Sequence, residues 1–230
     1  MKAVLLTLAC GLLLSAQGPL RVRLVTGGHA HDPEFYTAFT GDPRFSVAVE
    51  PHPRAYQGGT ARLDVLVLYD MIKVSDPKTR EWLTRWVESG KGLVVLHHAI
   101  CSFEDWEWWG DEVVGARYLN SPSRGLPPST FFHDLDLSIE VAKKHPVTAG
   151  VDNFKIFDET YKGMWYAPNL DVLLTTRHPK GDGPVGWIGP SKKNRVVVLQ
   201  GGHDKHAHLN PHWQRLVRNA IMWAGERSNP

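Results

Sequence analysis

The sequence predicts a single α/β domain built on a doubly wound, mainly parallel β-sheet. Three observations predict it. The apolar runs LDVLVLY (63–69) and GLVVL (92–96) are near-continuous, as in parallel strands covered on both faces. A helix-periodic segment joins them through short connections, the order of a parallel crossover. The 230 residues, 42% of them hydrophobic, suffice for one full core without staples.

Each element carries its own signal. Residues 21–26 (RVRLVT) read as the first strand, ended by Gly27 and Gly28. Asp32 and Pro33 predict the N-cap and first turn of a helix reaching about Thr40. Residues 45–49 suit a short second strand, and 63–69 a third that Asp70 closes. Ser75, Asp76 and Pro77 start a helix whose Trp82, Leu83, Trp86 and Val87 share one face. Gly90 ends that helix at the position where glycine is favoured. The run 92–96 leads directly into His97 and His98. From 102 to about 136 the pattern loosens: Trp106, Trp108 and Trp109 lie among acids, and Pro122, Pro127 and Pro128 punctuate a loop. Residues 137–141 and 172–176 predict further strands, and 185–188 with 196–200 a strand pair around a turn at 189–194. Asn210 and Pro211 open a last helix to Ala224, with Leu216, Ala220 and Trp223 on its core side. The α/β domain therefore spans 21–226, without internal repeats.

Composition narrows the partners. A net charge of +2, with both signs interspersed, excludes the footprint of a nucleic-acid or anionic-membrane binder. Residues 1–17 fit a signal peptide: Lys2 is the positive start, 3–14 the apolar run, and Ser15 and Ala16 offer a cleavage site. That run is too short to span a membrane, so the mature chain is expected outside the cytoplasm, periplasmic or extracellular, with no integral span. Cys10 follows too short an apolar stretch for lipid attachment, so a lipoprotein anchor is the lesser reading. Loss of Cys10 leaves Cys101 alone, and no internal disulfide can form. A homodimer is compatible with the pattern.

In open parallel α/β sheets, ligands bind beyond the carboxyl ends of the strands. Here those ends carry His29, His31 and Asp32, then Asp70, then His97 and His98, and finally His203, Asp204 and His206. Far apart in sequence, they converge at one sheet edge. Imidazoles and carboxylates gathered there suit a divalent metal such as Zn²⁺, or acid–base work near neutral pH. His29, His98 and His203 are the expected metal ligands, with His31, His97 and His206 orienting them or facing elsewhere. No single spacing among them is a specific metal motif, and a lone loop histidine is ordinarily a surface residue. Cys101 follows the strand end too late, behind Ile100, to sit on a nucleophile elbow, and reads as a buried small hydrophobe. Gly27-Gly28 and Gly201-Gly202 lack a G-x-G-x-x-G pattern or a phosphate-loop lysine, so no nucleotide cofactor is expected.

The stretches VTGGHAHDPEFY (25–36), GKGLVVLHHAICSFEDW (90–106), HPVTAGVDNFKIFDETY (145–161) and RVVVLQGGHD (195–204) resemble the trehalose-utilisation (ThuA-like) family. The resemblance covers about 22–225 and rests chiefly on LHHA, DETY and the terminal GHD. It implies a class I glutamine amidotransferase-like, flavodoxin-like fold. It also implies a sugar or keto-sugar as substrate, and site roles for His133, Asp158, Glu159 and Tyr161. By pattern alone Asp158 and Glu159 suit a solvated loop equally well. The His97–His98 elbow takes the place of the amidotransferase cysteine, so thioester glutaminase chemistry is not expected.

Two function classes follow. The first is an enzyme, a lyase or hydrolase of 3-keto-glycosides. Its catalytic set would be His98, His203, Asp158, Glu159 and His133, with Trp106, Tyr161, Trp165, Asp70 and His97 binding substrate. Glu159 or a histidine takes the C2 proton, a metal or neutral histidine stabilises the enolate, and His203 or Asp158 assists departure of the C1 group by β-elimination. Trp106, Trp108, Trp109 and Trp165 would form a sugar-stacking wall. The second is a non-catalytic carbohydrate-binding protein on the same fold. A metal-dependent hydrolase of another small substrate shares the site.

Overall fold

The computed structural model describes residues 18–226; the predicted signal segment, including Cys10, lies outside them. A nine-stranded sheet has the order β2 (Phe45–Pro51), β1 (Leu20–Thr26), β3 (Val65–Leu68), β4 (Gly92–Leu96), β11 (Val196–Leu199), β10 (Pro184–Ile188), β9 (Asp171–Thr176), β6 (Thr130–Val141), β7 (Phe154–Lys162). The first five are mutually parallel. The last four continue the sheet with antiparallel pairings. A small separate pair joins β5 (Ala116–Arg117) to β8 (Trp165–Tyr166).

Every residue of β3, β4 and β11 is buried, which explains their unbroken apolar runs. One sheet face packs under α3 (Pro211–Ala224) and the 3-10 turn Pro33–Phe39. The other packs under α1 (Pro77–Glu88) and the π-helical turn Trp109–Val114. Asp76 caps α1 by accepting the amides of Lys78 and Thr79, Pro77 occupies its first turn, and Gly90 turns the chain out at φ +76°. Trp82 and Trp86 stack at 5.6 Å along its buried face. Among the described residues, no helix is long and apolar enough to cross a membrane.

Local signals misplace two segments. The stretch after Asp32 is 3-10 rather than α-helical, and the Asp32 side chain caps nothing there. Its carboxylate instead accepts the Lys205 amide at the start of α2 (Lys205–His208), 2.9 Å away. The strand expected at 137–141 is the tail of the 12-residue β6, and β7 appears where a loop was equally admissible. β6 pairs with β9 only through Ile139–Val141 but with β7 from Thr130 to Ile139. The β6–β7 ribbon therefore extends past the carboxyl edge of the sheet and curls over it. A bulge between Phe132 and Leu135, with Asp134 at φ +57°, turns His133 inward.

Candidate functional site

Four carboxyl ends and the ribbon meet at this edge. β4 runs into His97, whose φ of +39° is a left-handed conformation rare for a side chain with a Cβ. Such strain, about 1–3 kcal/mol, is retained only where the surroundings over-determine it. His97 is fully buried. Its Nδ1 lies 2.6 Å from the Gln200 carbonyl oxygen, which can only accept, so Nδ1 carries the ring proton. The Nε2 lone pair then faces His203 Nδ1 at 3.0 Å, the Tyr161 hydroxyl at 3.3 Å and Glu159 Oε1 at 3.6 Å.

His98 is buried beside it, stacked on the exposed His29 ring at 4.0 Å. Neither of its ring nitrogens has a hydrogen-bond partner among the described residues. Burial, reinforced by the neighbouring imidazoles, pushes its pKa down to about 2. The same causes hold His97 well below the usual range and His203 at about 4. All three rings are neutral at pH 7 and present lone pairs rather than charge.

From the ribbon, Glu159 faces this group. Its Oε2 lies 2.6 Å from His133 Nδ1 and 3.6 Å from His203 Nδ1. Burial, then the adjacent Asp158 charge, raises the Glu159 carboxyl to about 8. Asp158 does different work. Its carboxylate accepts the amides of Gly202 (2.7 Å), His203 (2.9 Å) and Glu159 (2.9 Å), which fastens the His203 loop to the ribbon. Burial lifts its pKa to about 7 against those three donors. With its oxygens committed to backbone amides, Asp158 holds the His203 loop in place. Gly202 is needed in that loop: φ is +113°, and a Cβ would come within 2.6 Å of the Trp213 ring.

The geometry groups the candidate donors differently from the expected set of His29, His98 and His203. Nitrogens of His97, His98 and His203 lie within 4.8 Å of one another, as do donors of His133, Glu159 and His203. His29 belongs to neither group among the described residues; its Nδ1 bonds the neighbouring Ala30 carbonyl and its ring stacks on His98. His31 turns to the Tyr36 hydroxyl at 2.9 Å, and exposed His206 packs against Phe157. The first group fits a divalent ion on three counts. The His97 tautomer is set by a carbonyl, as is usual for ligating histidines. Both His98 nitrogens are unpartnered among the described residues. The 3.0 Å between His97 and His203 nitrogens is close to the ~3.3 Å edge of a tetrahedral ion with bonds near 2.0 Å.

Three predicted substrate contacts are engaged with other partners. Trp106 packs against Phe103, Trp108 and Trp109 under the Arg80 guanidinium, and Trp109 is fully buried. Trp165 lies under Arg124 at 4.5 Å. None of these ring contacts reaches the imidazole cluster. Asp70 is fully buried, accepts the Tyr56 hydroxyl at 2.6 Å, and leaves Oδ1 without a partner among the described residues. Burial raises its carboxyl to about 7. Because that value exceeds the unfolded one, the fold favours the protonated form, and stability falls as pH climbs from about 4 through 7. Between pH 5 and pH 8 the wild type is expected to lose on the order of 2 kcal/mol relative to Asp70→Asn. Urea unfolding of both proteins at the two pH values measures this; parallel curves would refute it.

Cys101 is buried, and desolvation raises its thiol to about 12, so it is no nucleophile. Sequence reasoning missed Tyr69 and Gln200. The Tyr69 hydroxyl donates to the Gly202 carbonyl at 2.7 Å, and Gln200 Oε1 accepts from Thr160 Oγ1 and the Tyr161 amide. Both sit at the strand ends that pointed to the histidines, so the same rule could have found them.

Solved structures with this architecture include two putative ThuA-like proteins. One, from Parabacteroides merdae, is 20% identical, with 90% of each chain covered and a TM-score of 0.73. The other, from Bacteroides uniformis, is 18% identical, covering 91% of this chain and 93% of that one at a TM-score of 0.70. A β-galactosidase from Bacillus circulans matches at 11% identity and a TM-score of 0.60, over 92% of this chain and 32% of the enzyme. At these identities the likeness is one of fold. No curated protein matches the chain in sequence. The family profile described as trehalose utilisation matches residues 21–224, the whole sheet with both helical layers. With the histidine-bearing strand ends and the ribbon inside that match, the chain belongs to the trehalose-utilisation (ThuA) family, a family of carbohydrate metabolism.

Proposed function

We propose that the chain is an exported enzyme of sugar catabolism that cleaves 3-keto-glycosides by proton abstraction and β-elimination. The observation that carries this reading is Glu159, a carboxyl raised to about 8 and set among neutral imidazoles. A base of that strength is matched to a proton made acidic by a neighbouring ketone.

In this reading Glu159 takes the C2 proton, and the C–H electron pair moves onto the C3 carbonyl oxygen. His98, neutral and with an uncommitted N–H, donates to that oxygen. The enolate electrons then form the C1–C2 double bond as the C1–O bond breaks. Protonated Glu159 returns its proton to the leaving oxygen. His203 was expected as the acid; being neutral, it is better suited to hold His97 and shape the pocket. His97, His98 and His203 would hold a divalent ion such as Zn²⁺, which when bound supplies Lewis-acid stabilisation of an oxyanion. The trehalose-utilisation description of the family supports a sugar substrate, and the leader-like residues 1–17 support export.

The test incubates the purified protein with 3-keto-trehalose or a 3-keto-glucoside, with and without chelator, beside a known lyase. Release of the aglycone is expected. If the reference enzyme releases it and this protein does not under either condition, the proposal fails. Sugar binding that then survives His98→Ala would identify a binding protein.

A further inference from the structure

We propose that Phe131 is the aromatic platform on which the apolar face of a pyranoside ring stacks at the mouth of the imidazole site. The inference rests on the sugar reading above and names the part of the site that would grip the ring.

Phe131 is among the few large apolar side chains left open, at 54% exposure. Its place in the ribbon aims it at the site. Directly opposed residues of an antiparallel pair put their side chains on one face. Phe131 opposes Tyr161, whose hydroxyl reaches His97. The next residue, Phe132, faces the other way and packs under Lys180 at 5.0 Å. Within the bulge, His133 returns to the Phe131 side, and their rings meet at 5.0 Å. His133 in turn touches His203 at 4.6 Å and binds Glu159. A continuous row thus runs from the open Phe131 ring to the proposed base.

An open phenyl face costs free energy in water unless something covers it. What would cover it here must reach Glu159 and present both C–H and hydroxyl groups. A pyranose does so: its axial hydrogens make an apolar face suited to an aromatic ring, while its rim hydroxyls meet His133 and Glu159. Trp106 and Trp165 instead carry the guanidinium groups of Arg80 and Arg124 against their rings.

The experiment measures trehalose and sorbitol binding by saturation-transfer NMR and calorimetry in wild type, Phe131→Ala and Phe131→Trp. Turnover of a 3-keto-glucoside is followed in parallel. Phe131→Ala is expected to weaken trehalose binding and raise KM at least tenfold, with kcat changed less than threefold. Phe131→Trp should restore binding, and sorbitol, lacking a ring face, should bind no variant well. Unfolding temperatures should agree across the variants because the side chain is exposed. Equal trehalose affinity in wild type and Phe131→Ala overturns the platform, as does a wild type that binds no pyranoside. Trehalose binding lost in Phe131→Ala, without turnover by any variant, upholds the platform and removes the lyase.

Discussion

Glu159→Gln is expected to reduce turnover of a 3-keto-glucoside by roughly 10²–10⁴-fold while leaving sugar affinity within a small factor. The substitution is nearly isosteric, and a glutamine oxygen can still accept from His133 Nδ1, now 2.6 Å from Oε2. The pocket keeps its shape and loses only the group able to take a proton. The fold should tolerate the change, since burial disfavours the charged Glu159 and glutamine carries no charge to desolvate. Steady-state kinetics with a parallel binding measurement separates the two effects. Turnover within threefold of wild type would remove Glu159 as the base and shift that role to an imidazole.

His98→Ala is the second large effect, with metal content as its readout. Protein purified from zinc-replete medium is expected to hold close to one equivalent of divalent ion, and the variant less than about one tenth of that, because three histidines are the fewest that hold a catalytic zinc firmly. The expectation rests on two buried nitrogens that no described residue satisfies, each worth about 1–3 kcal/mol if left unpaired. Elemental analysis settles it independently of activity. A wild type without metal would leave His98 as a neutral N–H donor, and the variant would then lose turnover alone.

Much of the architecture was legible before any coordinates. Strands β3, β4 and β11 announce themselves because burial on both faces demands apolar residues at every position. Helix α1 does so through Asp76, Pro77 and Gly90, each chosen by local backbone chemistry. The histidine-bearing strand ends were legible for a topological reason, since parallel strands bring their carboxyl ends to one edge. The resemblance in LHHA, DETY and GHD then added Asp158 and Glu159, which no periodicity marks.

What the pattern could not supply was the division of labour among these groups. His29 and His97 are alike as strand-end histidines, yet one lies exposed on top of the cluster and the other is buried at its centre. Asp158 and Glu159 are adjacent, yet one binds three backbone amides and the other faces imidazoles. Trp106 and Phe131 are both aromatic and partly open, and only Phe131 joins the row of rings that leads to Glu159. Such differences depend on where the β6–β7 ribbon crosses the sheet edge and on the bulge at His133. Element type and the location of the site follow from periodicity and strand direction, which are local or topological. Ligand choice and residue role follow from contacts between segments distant in sequence, which burial and hydrogen-bond satisfaction settle only when the chain is folded.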